Sequence, residues 1–192
     1  SGHESLCPYQ VFDTADKLPK RPGVSFGQFN TLKLENATVG TDTPGARDLI
    51  FRTSLKLTAD NGGGAYFMVR YQEKKHSYIL ALSAEGKDIE LRLDQAGNVR
   101  VLQSWSVPQK YQPDDWLRLE IKAIGALLTV SLADEVLGTV EDASLMEAGG
   151  VRVGALRTGY FKDIEYVPLD ATVVSPAPNL PVSKSSAAEP WQ

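Results

Sequence analysis

The chain of 192 residues is 42% hydrophobic, carries a formal net charge of -4 and contains a single cysteine, Cys7. That balance excludes the clustered Lys and Arg with which proteins grip phosphate backbones, so nucleic acid is not an expected partner. One thiol excludes an intrachain disulfide, His3 and His76 are too few for a zinc site of the usual ligands, and no apolar run reaches the ~20 residues of a membrane span.

Residues 1–8 read as an N-terminal extension, with Ser1-Gly2 resembling a cloning remnant. They lack the basic and apolar regions of an export signal, so any such signal is expected to have been removed or to lie outside this sequence. A first strand is expected around Tyr9 to Asp13, then loop to Gly23, then an irregular stretch from Ser25 that ends in a strand near Leu34. Gly40, Asp42, Pro44 and Gly45 make residues 39–46 a dense loop signal, and residues 49–57 read as a strand.

Asn61-Gly62-Gly63-Gly64 is the sharpest punctuation in the chain. Strands are expected at 65–71, 77–83, 89–93 and 99–105, separated by turn signals at Lys74-Lys75, Glu85-Gly86-Lys87 and Gln95-Ala96-Gly97-Asn98. In Trp116-Leu117-Arg118-Leu119-Glu120-Ile121-Lys122-Ala123 every second residue is apolar, and the pattern returns at Leu128, Val130 and Leu132. Period two marks half-buried strands, and Ile124-Gly125-Ala126 supplies the reversal, because glycine takes a positive φ without steric penalty. Further strands follow at 136–140, 151–156 and 160–167, and the best helix candidate, 142–148, is only one or two turns long. Regular short strands of this kind predict an all-β domain over residues 9–170, an antiparallel two-sheet sandwich or barrel. Residues 171–192, rich in Pro, Ser and Ala, read as a linker or tail. Trp191 then marks either the approach to a further domain, the favoured reading, or an indole docked on this one.

Residues 48–169 resemble the concanavalin A-like jelly-roll superfamily, in the form of laminin G-like domains, family 16 glycoside hydrolases and the bacterial DUF1080 group. The resemblance rests on Gly62-Gly63-Gly64 with Tyr66, Val69-Arg70-Tyr71, Tyr78-Ile79-Leu80-Ala81-Leu82, and Trp116-Leu117-Arg118-Leu119 with Gly125. Leu132-Ala133-Asp134-Glu135 sits where such modules carry a Leu-Asp-Gly turn, and Gly149-Gly150-Val151-Arg152-Val153-Gly154 with Phe161-Lys162-Asp163-Ile164 looks like the closing pair of strands. The resemblance implies two antiparallel sheets, one curved into a groove for sugars, with the first and last strands side by side. It also implies a structural calcium bound by an acidic residue just after the aromatic of the closing strand. Lys162 stands at that place, which leaves Asp163 and Asp13 as the calcium candidates.

Catalytic patterns are weak. The Glu-x-Asp-x-x-Glu strand of family 16 glycosidases is absent, and Glu85, Asp88 and Glu90, or Asp163 and Glu165, have the wrong spacing to replace it. Gly23-Val24-Ser25-Phe26-Gly27 matches the nucleophile-elbow pattern without the strand, helix and downstream acid and histidine that give it meaning. Asn36-Ala37-Thr38 fits a glycosylation acceptor, which matters only in a secreted eukaryotic protein.

A sugar groove needs planar aromatics and a few polar groups. On the strands assigned to the curved sheet these are Tyr66, Arg70, Tyr78, Arg92 and Trp105. Tyr66, Met68 and Arg70 share one strand face by alternation. For Arg70 and Tyr78 the favoured reading is that they are buried together as a hydrogen-bonded framework pair. Trp116 reads as a core or rim anchor rather than a ligand platform. The expectation is thus a non-catalytic jelly-roll module binding carbohydrate or another macromolecule, without a cofactor, in a larger protein outside the cytoplasm. The alternatives are a glycoside hydrolase with a divergent acid pair and a purely structural or protein-interaction module.

Overall fold

A computed structural model of the chain describes residues 9–10, 12, 18–20, 22–27, 31–57, 64–83 and 85–169. The described residues form twelve strands: β1 (Tyr9–Gln10), β2 (Val24–Phe26), β3 (Leu32–Ala46), β4 (Leu49–Lys56), β5 (Ala65–Gln72), β6 (His76–Leu82), β7 (Asp88–Gln95), β8 (Asn98–Ser106), β9 (Trp116–Ile124), β10 (Leu127–Leu132), β11 (Glu135–Glu141) and β12 (Gly149–Pro168). Every pairing is antiparallel. The expected hairpin is present, with Ile124 opposite Leu127 and Ala123 opposite Leu128. Its alternation is a burial pattern: Leu117, Leu119, Ile121 and Ala123 are buried on one face, and Arg118, Glu120 and Lys122 lie on the other.

The hydrogen-bonded path runs β11-β10-β9-β4-β12-β5-β6-β7-β8, with β3 and β1 also on β12. It makes two layers because β12 changes partners along its length. Its first part lies between β3 and β5, with Val153 opposite both Val39 and Phe67, and its last part pairs with β4, with Tyr166 opposite Phe51. Irregular register between Ala155 and Thr158 marks the crossing. One layer is therefore β11-β10-β9-β4-β12 and the other is β12-β5-β6-β7-β8. Their inner faces meet edge to face at Phe51 and Phe67, ring centroids 5.0 Å apart, within a core that includes Leu34, Leu80, Leu91, Leu119 and Val130. β1 runs beside β12, Tyr9 opposite Tyr166, so the first and last strands are neighbours as the resemblance implied.

Three expectations are corrected. Residues 39–46 continue β3 instead of forming a loop: Gly40 pairs with Arg152, and a Cβ at Gly40 would strike the Arg152 side chain, so the glycine is there for space. The two closing strands expected at 151–156 and 160–167 are one strand that serves both layers. Residues 142–148 form no helix; they are held instead by Tyr78 and Arg70 from below. The extension 1–8, the glycines at 62 and 63, Asp13 and the tail from 171 lie outside the described residues.

Candidate functional site

The residues that gather chemistry lie on the outer face of the layer containing β4 and β9. Trp116 pairs with Lys56, Leu55 pairs with Phe161 and so sets Lys56 beside Tyr160, Tyr160 pairs with Lys33, and Lys33 pairs with Ser25. One row of side chains thus crosses five strands. Lys162, opposite Ser54, stands in the next row. Together with Phe26, Gly27 and Thr31 they line a cleft of about 470 Å³. Trp116, Tyr160, Lys33, Lys56 and Lys162 are all half-buried, so each presents one side to solvent.

Cations sit against the rings. The Lys162 ammonium lies 4.3 Å from the centre of the Trp116 ring, and Lys56 lies 5.8 Å from Trp116 and 5.2 Å from Tyr160. Lys33 lies 5.9 Å from Tyr160 and is paired with Glu35 at 2.9 Å. The Glu35 hydrogen bond, with the Tyr160 oxygen, holds the Lys33 ammonium above its usual 10.5. Further along the same face, Arg52 donates to Glu120 at 3.0 Å and to Glu165, and Arg118 donates to Glu165 at 3.1 Å and to the Asp163 carbonyl. Glu120 of β9 and Glu165 of β12, on this face, are therefore paired with arginines.

The sequence matches no family model and no curated protein. Its fold matches many solved structures. The carbohydrate binding module CBM66 from Bacillus subtilis aligns with a TM-score of 0.55 over 84% of this chain and 94% of that one, at 16% identity. A putative glycosyl hydrolase from Parabacteroides distasonis aligns with a TM-score of 0.62 over 85% of this chain and 100% of that one, at 12% identity. The binding domain of botulinum neurotoxin serotype D aligns with a TM-score of 0.60 over 87% of this chain and 49% of that one, at 10% identity. The fold is a concanavalin A-like jelly roll.

Of the five groove residues expected from sequence, this jelly roll brings Tyr66 and Arg92 to an open face. Both lie outside the β5–β8 layer, on rows that run through Ala81 to Glu90 and through Ile79 to Val101. Tyr66 lies across Gly154 and bonds the Thr38 hydroxyl at 2.7 Å, while Arg92 donates to Glu90 at 2.6 Å. The other three do not share that face. Arg70 is fully buried: it has a φ of 51° where the pairing of β5 with β6 slips between Val69 and Gln72, and this bulge turns the side chain inward against the alternation. There it donates to the carbonyls of Arg47 and Leu145 at 2.7 and 2.8 Å and faces the Asp48 carboxylate at 3.6 Å.

Tyr78 pairs with Val69 and Leu93 and is also fully buried. Its hydroxyl donates to Asp142 Oδ1 at 2.7 Å and accepts from the Leu145 N–H, so Arg70 and Tyr78 hold the same loop from within. Trp105 pairs with the buried Ile89 and packs between the layers, where a Cβ on Gly138 of β11 would come within 3.0 Å of its Nε1. It closes the edge at which the two ends of the strand path meet. Asp163 is exposed, in a bulge at φ 52°, and among the described residues no three His, Cys, Asp or Glu side chains gather as a metal site. Ser25 of the nucleophile-elbow pattern lies in an edge strand, opposite Lys33.

The cleft itself leaves little mark in the sequence. In sequence Trp116 reads as a core or rim anchor, yet it has the parity of Arg118 and Glu120, which face solvent, and not that of Leu117 and Leu119. That parity was the one available signal.

Proposed function

We propose that this jelly roll is a non-catalytic carbohydrate-binding module, part of a larger protein working outside the cytoplasm, and that it holds its glycan in the cleft between Trp116 and Tyr160. The observation that carries the reading is the pair of half-buried aromatic side chains in an open cleft whose described lining includes no carboxylate. Ring faces and edges pack against the apolar C–H patches of sugar rings, and ammonium and hydroxyl groups at the rim fix hydroxyl oxygens. Retaining hydrolysis needs two carboxyls about 5–5.5 Å apart across the scissile bond, and the lining supplies none among the described residues. The match to a carbohydrate binding module over nearly its whole length supports the same reading at the level of fold.

A second reading has its own observation. Glu120 and Glu165 flank Arg52 on the same face as the cleft, two carboxylates brought to one sheet face from different strands. Both accept guanidinium donors, which suits a structural ion-pair ladder better than a general acid. Calorimetric titration with a panel of oligosaccharides separates the two. The proposal expects binding that Trp116→Ala or Tyr160→Ala weakens at least about tenfold, with the saccharide recovered intact. Silence across the panel would contradict it, and new reducing ends that vanish in Glu165→Gln would favour the hydrolase.

A further inference from the structure

We infer that the saccharide held in this cleft is acidic, with a carboxylate or sulfate group seated between Lys56 and Lys162. The inference rests on the cleft being a glycan site and goes further, to the chemical class of the glycan. A neutral sugar stacks best on a bare aromatic face, with its C–H groups against the ring. Here the rings carry ammonium groups: Lys162 over Trp116, and Lys56 within 5.8 Å of Trp116 and 5.2 Å of Tyr160. An incoming ligand meets those cations along with the rings.

The charge of the cleft is set locally. The chain as a whole has a net charge of -4, yet the described lining holds Lys33, Lys56 and Lys162 and no acid. Lys33 is neutralised by Glu35 at its side. Among the described residues, Lys56 and Lys162 have no ion pair. Glu120 and Glu165, further along the face, are balanced by Arg52 and Arg118 and do not cancel the two lysines. Two uncompensated ammonium groups, steered by the aromatic rings beneath them and walled by Ser25 and Thr31, make a receptor for one anionic oxygen group with hydroxyls around it. Nothing in such an arrangement rewards a neutral ligand for the cost of displacing ammonium hydration.

The test is calorimetry on the whole chain with three probes of similar length: oligogalacturonate, chondroitin sulfate oligosaccharide and neutral xylo-oligosaccharide. At low salt at least one of the two acidic probes is expected to bind about tenfold or more tighter than the neutral one, and to weaken as salt rises. The pair Lys56→Gln and Lys162→Gln should remove about that tenfold advantage while keeping a single cooperative unfolding transition, lowered by no more than the lost ring contacts account for. If the neutral probe binds as tightly as the acidic ones and the lysine variants are indifferent, the acidic assignment is overturned and the cleft remains a glycan site. If none of the three binds, while other glycans do so through Trp116, the outcome is the same. Equal affinity for oligoglutamate overturns the saccharide assignment.

Discussion

The ammonium group of Lys162 stands 4.3 Å from the centre of the Trp116 ring, on neighbouring rows of an outer sheet face. The two are placed by different strands, so their proximity is a product of register. A double-mutant cycle with Lys162→Ala and Trp116→Ala, read by urea unfolding, is expected to show a coupling of about 0.5–1 kcal/mol. Additive effects would mean that the contact is incidental.

Arg70 is the one fully buried guanidinium among the described residues, and it holds Arg47, Leu145 and Asp48 together. Arg70→Met leaves the Arg47 and Leu145 carbonyls without that donor, while the Asp48 carboxylate keeps Arg47 at 3.0 Å. A loss of about 2–4 kcal/mol is expected, measured as a shifted denaturation midpoint with an unchanged m-value. An effect under about 1 kcal/mol would show that water replaces the guanidinium.

Tyr78 and Asp142 predict the pH limits. Burial, then the bond to Asp142, pushes the Tyr78 phenol up to about 12 from its ordinary 10.0. Its contribution to stability is complete below the unfolded value and is lost as pH rises through the folded one. Burial alone would raise the Asp142 carboxyl, but the Tyr78 O–H, the Ser144 N–H and the Arg100 charge outweigh it and hold the group below its usual 3.8. That contribution is present above the unfolded value and fades as pH falls through the folded one. Thermal midpoints across pH should therefore fall at both ends, and Tyr78→Phe should flatten the alkaline fall. A wild-type alkaline limb that survives unchanged in Tyr78→Phe would refute the assignment.

Trp105 closes the sandwich edge against Gly138. Gly138→Ala forces the indole aside and is expected to cost about 1–3 kcal/mol while leaving glycan affinity unchanged. A Trp105→Ala variant that keeps its fold but loses glycan binding would move the site to that edge.

The sequence announced the fold more fully than the site, for reasons that particular residues show. Alternation from Trp116 to Ala123 and the turn at Gly125 specify a hairpin on their own, because both signals are local. Residues 39–46 misled because Gly40 and Gly45 read as loop, whereas Gly40 is a strand glycine that makes room for Arg152. For Arg70 alternation points to the face of Tyr66 while the framework reading points inward; the bulge, which reverses parity at one residue and leaves no mark in composition, puts it inside with Tyr78. Beyond the parity of Trp116 the cleft leaves no mark in sequence: Ser25, Lys33, Lys56, Trp116 and Tyr160 come from five strands and meet only once register is known.

The most direct measurement is a backbone and side-chain NMR titration of the protein with a saccharide that binds. The account predicts that the largest shifts fall on the Trp116 indole, the Tyr160 ring and the neighbours of Lys56 and Lys162. Shifts centred on Tyr66 and Arg92, on the opposite layer, would contradict it.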